Sequence, residues 1–216
     1  FITYGQGVPF YQMGTDLLRS KSLDRNSFDS GDWFNVVDFS LNTHGWGRGL
    51  PPAWDNEDRW DTMRDFLRDD TYTVEREHMQ QAHEVFREQL AIRYSTPLLR
   101  LETADAIHTR LAYHNTGPDQ EPGLIAMTVS DGTCAGTALD DNWDGLLVLF
   151  NANNESRQFE LEEMPDMELH PRLAESADAP LHDARHENGT FHIPALSAAV
   201  FVAPQGDTPG AFPCNQ

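Results

Sequence analysis

Beyond Pro97 the chain breaks into eight short apolar runs: Leu98–Leu101, Thr109–His114, Gly123–Val129, Gly145–Phe150, Gln158–Leu161, Met167–His170, Gly189–Ile193 and Ala198–Val202. Between them lie Asn115-Thr116-Gly117-Pro118, Ser130-Asp131-Gly132 and Asn151–Asn154, rich in residues that favour turn conformations. Runs too short for helices, punctuated at close intervals, predict an antiparallel β-sandwich. No segment repeats at a fixed period. Residues before the break read differently, so the expected division is 1–96 and 97–216.

In the first part, Val8–Met13 is an apolar run between Gly7 and Gly14, which predicts one buried strand with a proline near its start. From Asp16 to about Asn56 no period persists, although Trp33, Trp46 and Trp54 are interspersed. A loop of that length in a compact domain is usually functional. A short helix is expected over Glu57–Leu67 and a longer one over Val74–Arg93, where Met79, Ala82, Val85, Phe86 and Leu90 form an apolar stripe. Thr73 is the expected N-cap, and Pro97 the stop. Strand, long loop and closing helix fit the last βα unit of a (β/α)8 barrel, and equally a piece of a doubly wound sheet.

The charge narrows the partners. Fifteen Lys and Arg face 35 Asp and Glu, and a net charge of -20 repels nucleic acid phosphates and anionic lipid headgroups. The acids are spread along the chain, as on a solvated surface. No apolar run approaches the roughly 18–20 residues of a membrane helix. Phe1-Ile2-Thr3-Tyr4-Gly5 has neither an initiating Met nor a basic leader, so the chain is expected to begin inside a larger polypeptide. Cys134 and Cys214 lack zinc-site spacing; they could tie the tail to a loop or equally stay reduced.

Several stretches resemble a known family. Gly5-Gln6-Gly7-Val8-Pro9-Phe10-Tyr11-Gln12-Met13-Gly14-Thr15-Asp16 resembles the last barrel strand of the α-amylase clan. Leu17-Leu18-Arg19-Ser20-Lys21-Ser22 and Asp24-Arg25-Asn26-Ser27-Phe28-Asp29-Ser30-Gly31-Asp32-Trp33-Phe34-Asn35 resemble its pullulanase and limit-dextrinase subgroup. The likeness continues through Gly45-Trp46-Gly47-x-Gly49-Leu50-Pro51-Pro52, His114-Asn115-Thr116-Gly117-Pro118-Asp119-Gln120 and Pro194-Ala195-x-Ser197-x-Ala199-Val200.

This resemblance implies an α+β fragment: the last βα unit of the catalytic barrel followed by an all-β antiparallel sandwich. It further implies a parent enzyme that hydrolyses α-1,6-glucosidic links in pullulan, amylopectin and limit dextrins with retention; its location stays open, with the cell surface or outside favoured by the likeness. Retention needs two carboxyls about 5–5.5 Å apart. No acid of this chain matches the family's catalytic motifs, so no catalytic residue is assigned, and the fragment alone is expected to be inactive. Its partners would be an α-glucan and the rest of the parent polypeptide. The alternative is a non-catalytic α-glucan-binding or structural module.

Asp32 is the foremost substrate-binding candidate, because the family's Gly-Asp-x-x-Asn loop projects over the sugar subsites and a carboxylate accepts two hydroxyl hydrogen bonds from one sugar. Family members often carry Arg after that Asn, where this chain has Val36. Trp33 offers a flat face for a glucose ring. Asn26 offers neutral hydrogen bonds, and Asp24 is expected to pair with Arg25. Asp16 would orient an arginine of an earlier strand, and His44 reads as a solvated loop histidine. Asp131, Asp140, Asp141 and Asp144 offer oxygens for Ca²⁺ without EF-hand spacing; a solvated turn is the favoured reading, and no metal ligand is assigned.

Overall fold

The computed structural model describes residues 1–162, 164–205 and 212–214, with the Cys134 side chain outside the described set. The Cys134–Cys214 pairing raised above therefore falls outside the described residues. The chain separates into two compact units, Phe1–Pro9 with the residues from Arg87 onward, and Phe10–Phe86.

The helices are α1 (Gly31–Asn35), α2 (Ala53–Asn56), α3 (Trp60–Leu67), α4 (Arg76–Ser95), α5 (Ala104–Arg110) and α6 (Pro171–Ala174). The strands are β1 (Leu111–His114), β2 (Leu124–Ser130), β3 (Trp143–Asn151), β4 (Arg157–Glu160), β5 (Glu168–Leu169), β6 (Arg185–Glu187), β7 (Thr190–Ile193) and β8 (Ser197–Pro204). All the strands lie in the first unit, in a five-stranded sheet ordered β1-β2-β3-β8-β5 and a three-stranded sheet ordered β4-β7-β6. Every pairing is antiparallel, giving the expected sandwich-like arrangement.

Side-chain alternation explains the smaller sheet. In β7, Phe191 and Ile193 are buried while Thr190 and His192, which alternate with them, are only partly covered. Phe191 meets Phe201 of β8 edge-on, ring centroids 5.1 Å apart, which places the apolar core between the two sheets. Central strand β3 does not alternate: Leu146, Leu147, Val148 and Leu149 all have no exposed surface, as in a strand covered on both faces. Tyr4, Ile92, Leu98 and Leu99 belong to the same core. At Gly145, beside a bulge in the β3–β8 ladder, any Cβ would come within 2.5 Å of the Phe212 ring.

Several expectations are corrected. Val8–Met13 forms no strand; Val8, Phe10 and Met13 are exposed and no described strand lies beside the run to complete a ladder. Leu98–Leu101 begins instead with a 3-10 turn at Pro97–Leu99, which the Thr96 hydroxyl caps by accepting from Leu98 N–H at 3.1 Å. Helix α5 takes the first two residues of the Thr109–His114 run and β1 the remaining four. The helix expected over 57–67 opens with a 3-10 turn at Glu57–Arg59 before α3. Helix α4 starts two residues late, since Thr73 closes the preceding turn by donating its N–H to Asp70 O at 3.0 Å. His78 Nδ1 accepts from Glu75 N–H at 3.1 Å near the start of α4.

The acidic loop is solvated only in part: Asp141 is exposed, whereas Asp131, Asp140 and Asp144 are buried, and beside Asp131 lies Arg110, buried at the end of α5. Its guanidinium binds the Asp131 carboxylate and donates to Thr137 O at 2.6 Å. Asp131 also accepts from the backbone N–H groups of Leu139 and Asp140, each at 2.8 Å. Its carboxylate thus closes a loop from within, the arrangement a buried charge requires. Among the described residues no cluster of three or more His, Cys, Asp or Glu side chains could hold a metal ion.

Candidate functional site

The unit Phe10–Phe86 carries all four candidate sugar-binding residues, on one stretch from Asp24 to Trp33. It contains no strand, only short helices and 3-10 turns with the start of α4, so its shape depends on side chains bonding to backbone. Asn35 is the hub: its amide nitrogen donates to Ser27 O at 2.6 Å and Gly31 O at 3.0 Å, and its amide oxygen accepts from the Ser27 hydroxyl at 2.8 Å. Lys21 Nζ donates to the same hydroxyl at 2.6 Å, and Arg19 donates to Asn35 O at 3.1 Å. These bonds tie α1 to the 3-10 turn at Ser27–Asp29.

Asp24 and Arg25 do not pair, contrary to expectation. Asn56, fully buried, intervenes: its amide nitrogen donates to Asp24 Oδ1 at 3.1 Å and its amide oxygen accepts Arg25 N–H at 3.1 Å. Arg25 reaches instead to Asp58, 2.7 Å away, and to the Asp55 carbonyl. Asn26 is exposed and donates its backbone N–H to Asp24 Oδ1 at 3.1 Å. Asp24 lines a cleft of about 340 Å³ together with Gln12, Arg19, Lys21 and Arg25. Its Oδ2 is buried and has no hydrogen-bond partner among the described residues.

Asp32 and Trp33 stand apart from that cleft, both exposed on α1. No described residue occupies the Asp32 carboxylate, so its acceptor sites point to solvent. Trp33 is 64% exposed, yet anchored: its indole N–H donates to Arg48 O at 2.9 Å, and Arg48 returns a hydrogen bond to Trp33 O. Val36 is exposed beside them and caps α1 by donating its N–H to Asp32 O at 2.9 Å.

The flanking residues have structural partners. Asp38 accepts the backbone N–H of Ser40, Asn42 and Thr43 at 2.9, 3.0 and 3.1 Å and the Ser40 hydroxyl at 2.5 Å. These hydrogen bonds, the Ser40 hydroxyl's first, hold its carboxyl below the usual carboxylate range. His44 is half-buried rather than solvated; its Nε2 accepts Val74 N–H at 3.4 Å, and burial pushes its pKa down. Asp16 lies 2.9 Å from His83 Nδ1 of α4. Trp46 packs on Tyr72 and Trp54 on Phe28, with centroids 5.7 and 5.4 Å apart, as packing residues would.

Sequence reasoning missed Asn35 and Arg48 as organisers of the site. Arg48 occupied the unspecified position of the Gly-Trp-Gly-x-Gly stretch, and only a contact across fifteen residues reveals its role. The sandwich has its own concavity, about 720 Å³, lined by Arg157, Gln158, Arg185 and His192 among others and by no Phe, Tyr or Trp. Its arginines already face Glu121 and Glu187.

Comparison with known proteins agrees with the resemblance. Residues 41–204 match the family model described as alpha-1,6-glucosidases, pullulanase-type, C-terminal. Pullulanase 1, chloroplastic, of Arabidopsis thaliana is 39% identical over 208 residues, 93% of this chain and 22% of that protein. A pullulanase of Klebsiella pneumoniae is 36% identical over 97% of this chain and 19% of its own length. Among solved structures, PulA from Klebsiella oxytoca superposes with a TM-score of 0.91 at 35% identity, covering 98% of this chain and 20% of that one. A maltotriose complex of PulA from Klebsiella pneumoniae gives 0.90 at 34% identity, covering 98% and 23%. The chain spans about a fifth of the length of these relatives.

Proposed function

Because the chain belongs to the pullulanase-type α-1,6-glucosidase C-terminal family, we propose that it is the C-terminal part of a debranching glycoside hydrolase acting on α-1,6 links of pullulan, amylopectin and limit dextrins. Residues 1–96 would close the catalytic barrel, with Val8–Met13 as its last strand and its ladder partners on strands outside this chain. The exposure of Val8, Phe10 and Met13 supports that reading, since bare apolar side chains at such a density call for a cover. Residues 97–216 would form the supporting sandwich. The catalytic carboxylates lie elsewhere in the parent.

The contribution of this chain to the reaction is sugar binding. The observation that carries it is the contrast within one loop: Asn35, Ser27 and Asn56 spend their hydrogen bonds on the protein itself, whereas Asp32 presents an unoccupied carboxylate beside an exposed, anchored indole. A carboxylate and a flat apolar face together match the hydroxyl rim and C–H face of a glucose unit. Asp24 and Asn26 would add polar contacts from the neighbouring turn. Maltotriose, the ligand named for the Klebsiella pneumoniae structure, is a glucan of the size such a loop could grip. The alternative of a glucan-binding sandwich acting alone finds no Phe, Tyr or Trp platform in the 720 Å³ concavity.

The test uses the full-length parent enzyme. Asp32→Ala should lower kcat/KM on pullulan by about 10- to 100-fold, the loss of one or two charge-assisted hydrogen bonds. Wild-type kcat/KM in that variant would sink the assignment of Asp32, and pullulan cleavage by residues 1–216 alone at a normal enzymatic rate would sink the assignment of catalysis elsewhere.

A further inference from the structure

We infer that Arg48 is a positioning residue for glucan binding, acting through Trp33 by covering one face of the indole and fixing the other face toward the sugar. This rests on the reading of Trp33 as a sugar platform. Three contacts join the two residues. The indole N–H donates to Arg48 O at 2.9 Å, Arg48 donates back to Trp33 O, and the guanidinium carbon lies over the ring, 5.5 Å from its centroid. The reciprocal bonds, each from a side-chain N–H to the other residue's carbonyl, hold the two residues in register, and the cation sits where the ring's electron-rich face attracts it.

A tryptophan that is 64% exposed would ordinarily sample several rotamers, and a ligand stacking on it would have to freeze them. Arg48 removes that freedom before any sugar arrives. With one face occupied, stacking is confined to the opposite face, so the platform gains a direction as well as an orientation.

Arg48 can do this because its own backbone is pinned on both sides. Before it, Ser20 N–H donates to His44 O at 2.6 Å; after it, the Ser22 hydroxyl donates to Gly49 O at 2.9 Å. Gly45, at φ 92°, passes so close to Ser20 that a Cβ there would lie 2.3 Å from the Ser20 carbonyl oxygen. The turn carrying Arg48 is therefore clamped to the 20–22 segment, and the clamp extends through the guanidinium to Trp33. No other cation is recorded over the Trp33 ring among the described residues.

The test is a double-mutant cycle in the full-length parent enzyme, with maltotriose binding followed by calorimetry and pullulan hydrolysis followed by KM and kcat. Arg48→Ala should weaken maltotriose binding about 3- to 10-fold, with the change falling on KM more than on kcat. Arg48→Met, which keeps the apolar stem and removes the charge, should give the same direction and serves if the alanine variant does not fold. Trp33→Ala should weaken binding at least as much, and adding Arg48→Ala to it should cost nothing further. Additive losses would overturn the inference, since Arg48 would then act on the sugar directly or elsewhere. So would wild-type affinity in Arg48→Met beside a weakened Trp33→Ala. If Trp33→Ala itself binds normally, the platform reading of Trp33 fails first.

Discussion

From Leu146 to Leu149 four consecutive side chains are sealed from solvent, whereas between Phe28 and Phe39 three aromatic side chains stand at 80%, 64% and 75% exposure. The sandwich closes on apolar surface, and its strands pair in antiparallel ladders with a bulge between β3 and β8. The loop-bearing unit is organised by amide, hydroxyl and guanidinium groups reaching for backbone carbonyls, each bond contributing on the order of 1 kcal/mol. Regions held in the second way open locally at low cost, and binding loops are drawn from them. Within one chain, rigidity and presentation are thus assigned to different residues, with different chemistry underneath.

The strongest way to probe that contrast is to empty the sandwich. Phe201→Ala removes a fully buried ring that packs edge-on against Phe191, and it should destabilise the sandwich by about 3–5 kcal/mol, read as a lowered urea midpoint. A loss under about 1 kcal/mol would show that the core collapses readily and that the two units differ less than their burial suggests.

Protonation offers a gentler perturbation of the same unit. His170 is buried, its Nδ1 accepting Arg172 N–H at 3.2 Å and its Nε2 3.3 Å from the Ser95 hydroxyl, with Trp143 alongside. Burial first, and then the charge of Arg172, pushes its pKa down to about 4. The folded state therefore favours the neutral ring, and its stabilising effect is complete above the unfolded value of about 6.5. Stability should decline as pH falls from about 6.5 to about 4 and level off below, visible in urea midpoints across that range. His170→Asn, which keeps an acceptor for Arg172 N–H, should flatten that part of the profile; an unchanged slope would trace the pH dependence to other groups.

The smallest effect belongs to the loops. Gly45→Ala forces a Cβ against the Ser20 carbonyl at positive φ and should cost about 1–3 kcal/mol, confined to the Phe10–Phe86 unit. Hydrogen exchange should speed up near residues 20–22 and 44–49 while β3 and β8 keep their protection. Equal acceleration in the strands would break the distinction between the units.

How far each region could be read from sequence follows the same divide. β2, β3, β7 and β8 were legible because burying a strand demands an apolar run, and Ala126, Leu146–Leu149, Phe191 and Val200 supply it. β6 was not, since Arg185-His186-Glu187 carries only one inward ring, His186, stacked on Phe191 at 4.1 Å. The run Val8–Met13 reads as a strand on pattern alone, but a ladder needs a neighbour and this chain offers it none among the described residues. In the candidate site, Asp32 and Trp33 are proposed from their place in a motif. Their organisers Asn35 and Arg48 act through contacts whose partners composition cannot name. The burial of Asp131 was not legible for the same reason, as its counter-charge lies twenty-one residues away at Arg110.

That buried pair also limits how this chain can drift. Arg110 grips the 137 carbonyl and the Asp131 carboxylate, which in turn holds the 139–140 backbone, so three separate segments share one pair of charges. Losing either charge alone strands the other in a dry interior, a step of about 3–5 kcal/mol. Neutral variation there should therefore come as paired exchanges at 110 and 131, often with a rebuilt 132–140 loop, and intermediates bearing a single change should be rare among descendants of this sequence.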